Sequence, residues 1–180
     1  MASPSVEPSD IPIPTGSDSA CFTHISNQIA LRVPLSPIYH LLLSPPALRL
    51  VHASPGLIRA HLILGPQHLN AGGSLHGSAS ATIVDWAGGM AIASWDLRSG
   101  TGVSADIHVN YIGGAREGET VEIEGRAEKV GGGLAFTSVR IAKVRERGEV
   151  GPLVITATHT KYVRGTAPVR KDVASVEPSA

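Results

Sequence analysis

Cysteine and charged residues are both scarce in this chain of 180 residues, which has about the length of one domain. Its one cysteine, Cys21, excludes an intramolecular disulfide and a zinc site built from several thiolates. Charged residues make up 17% of the chain, and 15 Lys and Arg residues balance 15 Asp and Glu residues. Because no run of basic residues breaks this balance, we expect no nucleic-acid partner.

The chain also lacks the features of a signal peptide, because residues 1–20 are rich in Ser and Pro and contain no apolar stretch. One segment, Gly77 to Trp95, is apolar enough to be compared with a membrane span. It carries Asp85 near its centre, where a carboxylate would oppose insertion by about 2.5–3.5 kcal/mol. We therefore expect no membrane span. A cytoplasmic location is the default expectation, and a mitochondrial or peroxisomal one is the alternative left open.

Proline content and residue patterns divide the chain into four regions. Residues 1–24 have the composition of a disordered tail. Residues 25–47 form an N-terminal extension, with a short helix expected over Ile38 to Leu43 because Pro37 suits a helix start. Residues 48–163 form the folded domain, and residues 164–180 are expected to be a flexible C-terminal tail.

The folded domain reads as six strands and one long helix. The helix is expected over residues 75–93, where Ala79, Ile83 and Met90 recur at helical spacing and small residues fill the opposite side. Both sides of this helix are therefore predicted to be buried. The strands are predicted at residues 48–53, 57–64, 102–112, 119–130, 134–144 and 153–163. A six-stranded antiparallel meander wrapped around one central helix, an α+β fold, satisfies this pattern.

Strand 102–112 alternates apolar and polar side chains. Successive side chains of a strand point to opposite faces of the sheet. The alternation therefore predicts that Ser104 lies on the face opposite to Ile107 and Val109.

Asp85 is the most informative residue of the helix, because no other Asp, Glu, Lys or Arg occurs between Arg59 and Asp96. A buried carboxylate must be paired, hydrogen-bonded, neutralised or placed at a wet cleft. It could simply bind a nearby hydroxyl or backbone amide. It is equally a candidate general base, since partial desolvation distinguishes it from a solvated charge.

The beginning of the helix, around Gly77, offers a second candidate feature. First-turn amides have no acceptor within the helix, and with the helix dipole they can stabilise an oxyanion. Close packing of a glycine at a helix start is the alternative interpretation. Asp85 lies eight residues further along, roughly 12 Å by helical rise, which is too far for both to act on one small group. Either the two features are unrelated, or a second copy of the chain completes the site.

The remaining candidate residues, His76 and Ser104, do not indicate a metal site or a serine hydrolase. His76 is interpreted as a capping residue or a satisfied core histidine. No HxH or HExxH spacing occurs, so we predict no metal site. Ser104 lacks the GxSxG context of a serine hydrolase nucleophile.

Several ordered motifs of the domain resemble one known family. They are Asn70 to Gly77, Ala81 to Asp85, Gly102 to Asp106 with the following Asn110-Tyr111, Leu134 to Val139 and His159 to Tyr162. Over residues 48–163 the chain resembles the hotdog-fold acyl-CoA thioesterases, especially the PaaI-like and thioesterase superfamily member 2 types.

The resemblance implies hydrolysis of an acyl-CoA thioester to a carboxylic acid and CoA at the interface of a homodimer, or of a homotetramer formed from two dimers. The Gly77 amide and the Asn70 side chain would polarise the thioester carbonyl. Asp85 would activate water (or attack directly), Ser104 would orient that water, and His76 would support the Asn70 loop. Residues implied near the CoA moiety are Lys129, Gly132, Gly133, Leu134, Ala135, His159 and Lys161. The resemblance implies no metal and no cofactor, since CoA belongs to the substrate.

Three positions depart from the family pattern. Ala71 stands where a basic residue is frequent, Ser78 replaces a second glycine, and Gly132-Gly133 replaces a more polar stretch. A hotdog module that binds acyl-CoA without turnover is the alternative function. A hotdog hydratase would need a histidine near the acyl β-carbon, for which only His76 is available.

Overall fold

The structure is a computed structural model that describes residues 12–145 and 148–168. Three α-helices and six strands are present in these residues. The helices are α1 (Ser19–Arg32), α2 (Pro37–Leu43) and α3 (Gly77–Asp96). The strands are β1 (Leu48–Ser54), β2 (Leu57–Ile63), β3 (Val103–Tyr111), β4 (Thr120–Val130), β5 (Leu134–Val144) and β6 (Val150–Tyr162). The predicted order of one long helix among six strands is confirmed.

All six strands form one antiparallel sheet in the order β1-β2-β4-β5-β6-β3. The prediction of a simple meander is wrong for β3, which pairs with β6 at the far edge instead of with β4. The physical reason is the length of α3, which by helical rise spans about 30 Å. The helix contacts all six strands and delivers the chain to the opposite edge of the sheet.

The central helix is buried on nearly all sides, as its composition predicts. Small residues let the sheet approach it closely: a Cβ added at Gly125 of β4 would lie 2.7 Å from the Ala87 carbonyl oxygen of α3. A Cβ added at Gly88 would lie 2.7 Å from His159 Nδ1 and 2.8 Å from Thr137 Oγ1. Sheet side chains therefore occupy the space that a larger helix residue would need.

The strand β3 contains an irregularity that changes which side chains face the helix. Ser104 pairs with Lys161 and Asp106 with Thr160, so the register shifts between Ser104 and Asp106. Bulges of this kind re-aim side chains. Ser104 consequently lies on the helix-facing side with Ile107, and the predicted placement of Ser104 on the opposite face is wrong.

The N-terminal region contains more structure than its composition indicates. The helix α1 begins at Ser19, inside the region predicted as a tail up to residue 24. Asp18 caps it by accepting a hydrogen bond from the Cys21 amide, at 2.8 Å. Its face of Cys21, Phe22, Ile25 and Ile29 is buried, and burial of this face accounts for the ordered helix.

The second N-terminal helix agrees with the prediction, since α2 begins at Pro37 and ends at Leu43. The predicted disorder of residues 1–11 and the predicted C-terminal tail from residue 169 onward lie outside the described residues. Among the helices of residues 12–145 and 148–168, none has the length and apolar composition that crossing a membrane requires.

Candidate functional site

The Asp85 carboxylate is the centre of a hydrogen-bonded cluster that joins α2, α3, β3 and β6. Its Oδ2 accepts a hydrogen bond from the Tyr39 hydroxyl at 2.5 Å. Its Oδ1 accepts one from the Ser104 hydroxyl at 2.9 Å and one from Lys161 Nζ at 3.1 Å. The Asp85 side chain is 29% exposed. A carboxylate offers about four lone-pair sites, so one site on Oδ2 stays free of these three donors.

The environment of Asp85 favours the ionised carboxylate. Burial by itself raises its pKa, but the Tyr39 hydrogen bond, the Lys161 charge and the Ser104 hydrogen bond together hold the pKa below its usual range. Asp85 is therefore an anion at neutral pH, with an ammonium group beside it. An ionised acid of this kind can accept a proton from a bound water.

His159 extends the cluster behind Ser104. Its Nε2 lies 3.0 Å from Ser104 Oγ, and because Ser104 donates its proton to Asp85, the histidine must donate through Nε2–H. Burial, followed by the neighbouring Lys161 charge, lowers the pKa of His159 to about 4. The imidazole is therefore neutral at pH 7. Its Nδ1 is buried without a partner among the described residues and lies where Gly88 leaves space.

A cavity opens beside the carboxylate. It has a volume of about 490 Å³ and is lined by Ser36, Ile38, Tyr39, Ala81, Thr82, Asp85, Ser104 and Ile107. A second cavity of about 250 Å³, lined by apolar and polar side chains of α2, α3 and the segment Gln67 to Leu69, reaches His76 and Ser78. The two cavities share Ile38 and Thr82, so they lie next to each other between α2 and α3.

The loop that carries Asn70 leads directly into α3. The Asn70 side-chain oxygen accepts hydrogen bonds from the backbone amides of Gly72, at 2.9 Å, and Ser74, at 3.2 Å. These bonds fix the side chain and leave its NH₂ group without an acceptor in the described part of the chain. His76 caps α3, since its Nδ1 accepts a hydrogen bond from the Ser78 amide at 3.0 Å. No hydrogen bond joins its imidazole to Asn70 within the described residues, whereas its backbone amide donates to the His68 carbonyl oxygen at 2.8 Å, just before the Asn70 loop.

Gly77 is the first residue of α3, and no acceptor for its amide occurs within residues 12–145 and 148–168. The Tyr111 hydroxyl donates to the Gly77 carbonyl oxygen at 3.2 Å. The Asn70 side chain and the Gly77 amide thus form one group of free donors, and the Asp85 cluster forms another about two helical turns away. One chain does not bring the two groups together.

The residues implied near CoA separate into two sets. Lys129, Gly132, Gly133, Leu134 and Ala135 lie at the turn between β4 and β5. His159 and Lys161 form the second set, and both are buried beside Asp85, with 0% and 5% exposure. Their assignment to the CoA moiety stays a prediction. Lys161 is nevertheless near that turn, because it pairs with Ala135 across the sheet.

Tyr39 is the site residue that sequence reasoning missed. It lies on α2, in the extension to which no motif was assigned, and no periodicity indicates that α2 packs against Asp85. Lys161 carried a detectable signal, since alternation from Ala157 through His159 places it on the buried face of β6. A buried lysine needs a carboxylate partner, and Asp85 was the available one.

Comparison with known proteins places this chain in a family. The profile of the Thioesterase superfamily matches residues 72–150. Acyl-coenzyme A thioesterase 13 of Homo sapiens is 36% identical over 114 residues, which cover 63% of this chain and 78% of that protein. The chain therefore belongs to the Thioesterase superfamily.

Solved structures of related proteins share the fold. Zebra fish thioesterase superfamily member 2 is 30% identical with a TM-score of 0.63, over 75% of this chain and 93% of that one. The Mus musculus member 2 is 27% identical with a TM-score of 0.65, over 81% and 98%. The expected hotdog thioesterase fold is confirmed.

Proposed function

We propose that this protein hydrolyses an acyl-CoA thioester to a free carboxylic acid and CoA. Membership of the Thioesterase superfamily and the 36% identity to acyl-coenzyme A thioesterase 13 support the reaction class. The observation that carries the proposal is the ionised Asp85 carboxylate, which borders a cavity of about 490 Å³ and keeps one acceptor site free on Oδ2.

Asp85 serves as the general base in the proposed reaction. A water bound at the free site of Oδ2 gives its proton to the carboxylate while its oxygen attacks the thioester carbonyl carbon. The carbon–sulfur bond then breaks, and the CoA thiolate takes the proton that Asp85 received. Ser104 orients the carboxylate, and through it the water, because its hydroxyl proton is already directed to Asp85 Oδ1.

The Gly77 amide and the Asn70 NH₂ group polarise the thioester carbonyl. Donors of this kind act by stabilising the negative charge that develops on the carbonyl oxygen. Because the two groups lie about two helical turns from Asp85 of the same chain, we infer that a second copy of the chain supplies them. The proposed enzyme is therefore a homodimer, or a pair of dimers, and His76 contributes as the cap that fixes the beginning of α3.

The CoA moiety is proposed to lie along the turn between β4 and β5. Lys129 is exposed there and offers a positive charge to a phosphate, while Gly132 and Gly133 leave the backbone accessible. Leu134 and Ala135 continue this surface into β5. The proposed reaction needs no metal and no organic cofactor, since water, the carboxylate and the amide donors supply each step.

Thiol release from a panel of acyl-CoAs, followed with a thiol-reactive dye, tests the proposal. We expect wild-type protein to release thiol and Asp85→Asn to lower kcat by about 10²–10⁴-fold, the usual contribution of a general base. Glu117→Gln, at an exposed position before β4, is the matched control and should retain wild-type activity. Near-normal hydrolysis by Asp85→Asn would contradict the assignment of the base. Binding of acyl-CoA without thiol release would identify the non-catalytic module instead.

Two further parts of the proposal have separate measurements. Light scattering coupled to size-exclusion chromatography should give a mass of two or four chains, and a monomer that is fully active would exclude a shared site. The cytoplasmic location stays a prediction, which fluorescence microscopy of the tagged full chain in its native cell checks.

A further inference from the structure

The helix α2 brings an N-terminal side chain into the Asp85 site. Tyr39 lies 46 residues before Asp85 and outside residues 72–150, which the superfamily profile matches. Its hydroxyl approaches Asp85 Oδ2 to 2.5 Å, the shortest of the three hydrogen bonds described for this carboxylate. The N-terminal extension therefore contributes directly to the geometry of the site.

The position of Tyr39 is set by packing that does not depend on Asp85. Leu42 and Leu43 of α2 are buried, with 3% and 0% exposure. The fully buried His68 accepts a hydrogen bond from the Gly65 amide at Nδ1, so its Nε2–H donates to the Leu42 carbonyl oxygen at 2.7 Å. These contacts anchor the C-terminal end of α2, and Tyr39 is held one turn before the anchor.

The three donors restrain both oxygens of the carboxylate. Ser104 and Lys161 hold Oδ1, and Tyr39 is the donor at Oδ2. Rotation of the carboxylate about its Cβ–Cγ bond would break at least one of these bonds. Without Tyr39, Oδ2 has no donor within the described chain, and the remaining site on that oxygen is no longer fixed in direction.

We propose that Tyr39 is a positioning residue for the Asp85 general base, so that the active site extends into the N-terminal helix α2. This inference rests on the proposed function, because it concerns the residue that receives the proton from water. Tyr39 does not itself exchange a proton in the reaction. Its hydroxyl aligns the acceptor oxygen with the cavity and stabilises the ionised form.

The electrostatic surroundings allow a specific readout. The titratable and charged groups that face Asp85 are Tyr39 on α2 and both His159 and Lys161 on β6, and the charge of Arg32 on α1 acts on Tyr39. Burial and the contact with Asp85 raise the pKa of Tyr39, so the hydroxyl stays protonated and donates at every pH of interest. Because the Tyr39 bond lowers the pKa of Asp85, its removal raises that pKa.

The test is the pH dependence of thiol release by wild type and Tyr39→Phe, measured as kcat and KM separately from pH 2.5 upward, because the lowered Asp85 pKa places the wild-type acid limb below pH 4. The phenyl ring keeps the packing and removes only the hydroxyl. We expect kcat at pH 7 to fall about tenfold, KM to stay within about twofold, and the acid limb of the profile to move upward by about one pH unit. Tyr162→Phe, at an exposed tyrosine of β6, is the matched control and should behave as wild type.

A double-mutant cycle keeps the inference testable if Tyr39→Phe changes stability. In the Asp85→Asn background the Tyr39→Phe substitution should change the residual rate by less than about twofold, because no base is left to position. A tenfold loss in that background, or a loss of kcat in the single variant with an unmoved acid limb, would show a structural role and overturn the inference. Wild-type kcat in Tyr39→Phe would overturn it as well.

The outcomes separate this inference from the function on which it rests. A strong loss in Asp85→Asn together with normal activity and a normal profile in Tyr39→Phe rejects only the role of Tyr39. Near-normal activity of Asp85→Asn, or absence of thiol release by wild-type protein, rejects the proposed function and the inference together.

Discussion

Ser104 and Lys161 lie directly opposite each other in the β3–β6 pairing, and both donate a hydrogen bond to the same oxygen of Asp85. Side chains from two neighbouring strands, β3 and β6, thus bind the same atom of α3, Asp85 Oδ1. This arrangement supplies a buried ammonium with its counter-ion and leaves the other oxygen to Tyr39 and the cavity. The same contacts therefore join the strands to the helix and orient the carboxylate of the proposed base.

Replacement of the buried ammonium should affect stability in a pH-dependent way. Lys161→Met removes the cation and leaves a half-buried carboxylate, so we expect the free energy of unfolding to fall by about 1–3 kcal/mol at pH 7. The lowered pKa of Asp85 means that this stabilisation is present above the usual carboxyl pKa and is lost as pH falls through the folded value. Urea unfolding at pH 7 and at pH 3 to 4 measures the difference.

The control for this variant is Lys129→Met, at an exposed lysine of β4. It should change the free energy of unfolding by less than about 0.5 kcal/mol. Equal stability losses in both variants would contradict the ion pair as the cause.

His159 should make the protein less stable in mild acid. Its pKa in the folded state is about 4 against an ordinary value of 6.5, because of burial and the Lys161 charge. As pH falls from about 6.5 toward 4, the imidazole becomes protonated in the unfolded chain but stays neutral in the folded protein. The free energy of unfolding therefore decreases. The unfolding temperature of His159→Gln should fall less steeply over the same pH range than that of wild type.

His108→Gln, at an exposed histidine of β3, provides the reference for this experiment. Its unfolding temperature should follow the wild-type pH dependence. If wild type and His159→Gln lose stability in parallel, the buried neutral histidine is not responsible.

Replacing two adjacent glycines of α3 by alanine should have different effects on the melting temperature. A Cβ at Gly88 would lie 2.7 Å from His159 Nδ1, whereas a Cβ at Gly89 would lie 3.4 Å from Thr101 Oγ1, an ordinary contact distance. Alanine favours a helix interior over glycine by up to about 1 kcal/mol, but overpacking costs about 1–3 kcal/mol. We expect Gly88→Ala to lower the melting temperature and Gly89→Ala to leave it unchanged or raise it, as circular dichroism would show. Equal effects of the two substitutions would contradict the close contact between α3 and β6.

Gly77→Ala should separate activity from folding. The added Cβ would meet the Tyr111 hydroxyl at 3.4 Å, so we expect a melting temperature within about 2 °C of wild type. The same methyl group narrows the approach to the proposed amide donor, and kcat/KM should fall about tenfold or more. Unchanged kcat/KM in a folded variant would remove the Gly77 amide from the proposed site.

Local sequence patterns predicted most of the helices and strands, because residue spacing within a few positions is enough to indicate each of them. The spacing of Ala79, Ile83 and Met90 predicts α3, and all three residues are buried. Strict alternation failed at Ser104, where one extra residue in β3 reverses the face. Prediction from alternation assumes regular pairing along the whole strand, and the sequence of residues 103–106 gives no signal for a bulge.

Contacts between distant segments limited the prediction of the site. Asp85 was recognisable as a charge in an apolar helix, but its partners come from segments 46 and 76 residues away in sequence. Lys161 could have been paired with it from the alternation of β6. Tyr39 could not, because the docking of α2 depends on the burial of Leu42 and Leu43 and on a hydrogen bond from His68.

His68 connects the helix α2 with the beginning of α3. Its side chain donates to the Leu42 carbonyl of α2, and its own carbonyl accepts from the His76 amide at the start of α3. The tyrosine-bearing helix and the cap beside Gly77 are therefore tied through one fully buried imidazole residue. Moving α2 away from the body would break the hydrogen bond to the Leu42 carbonyl and strain the neighbouring cap, so the position of α2 and the geometry of the cap are coupled.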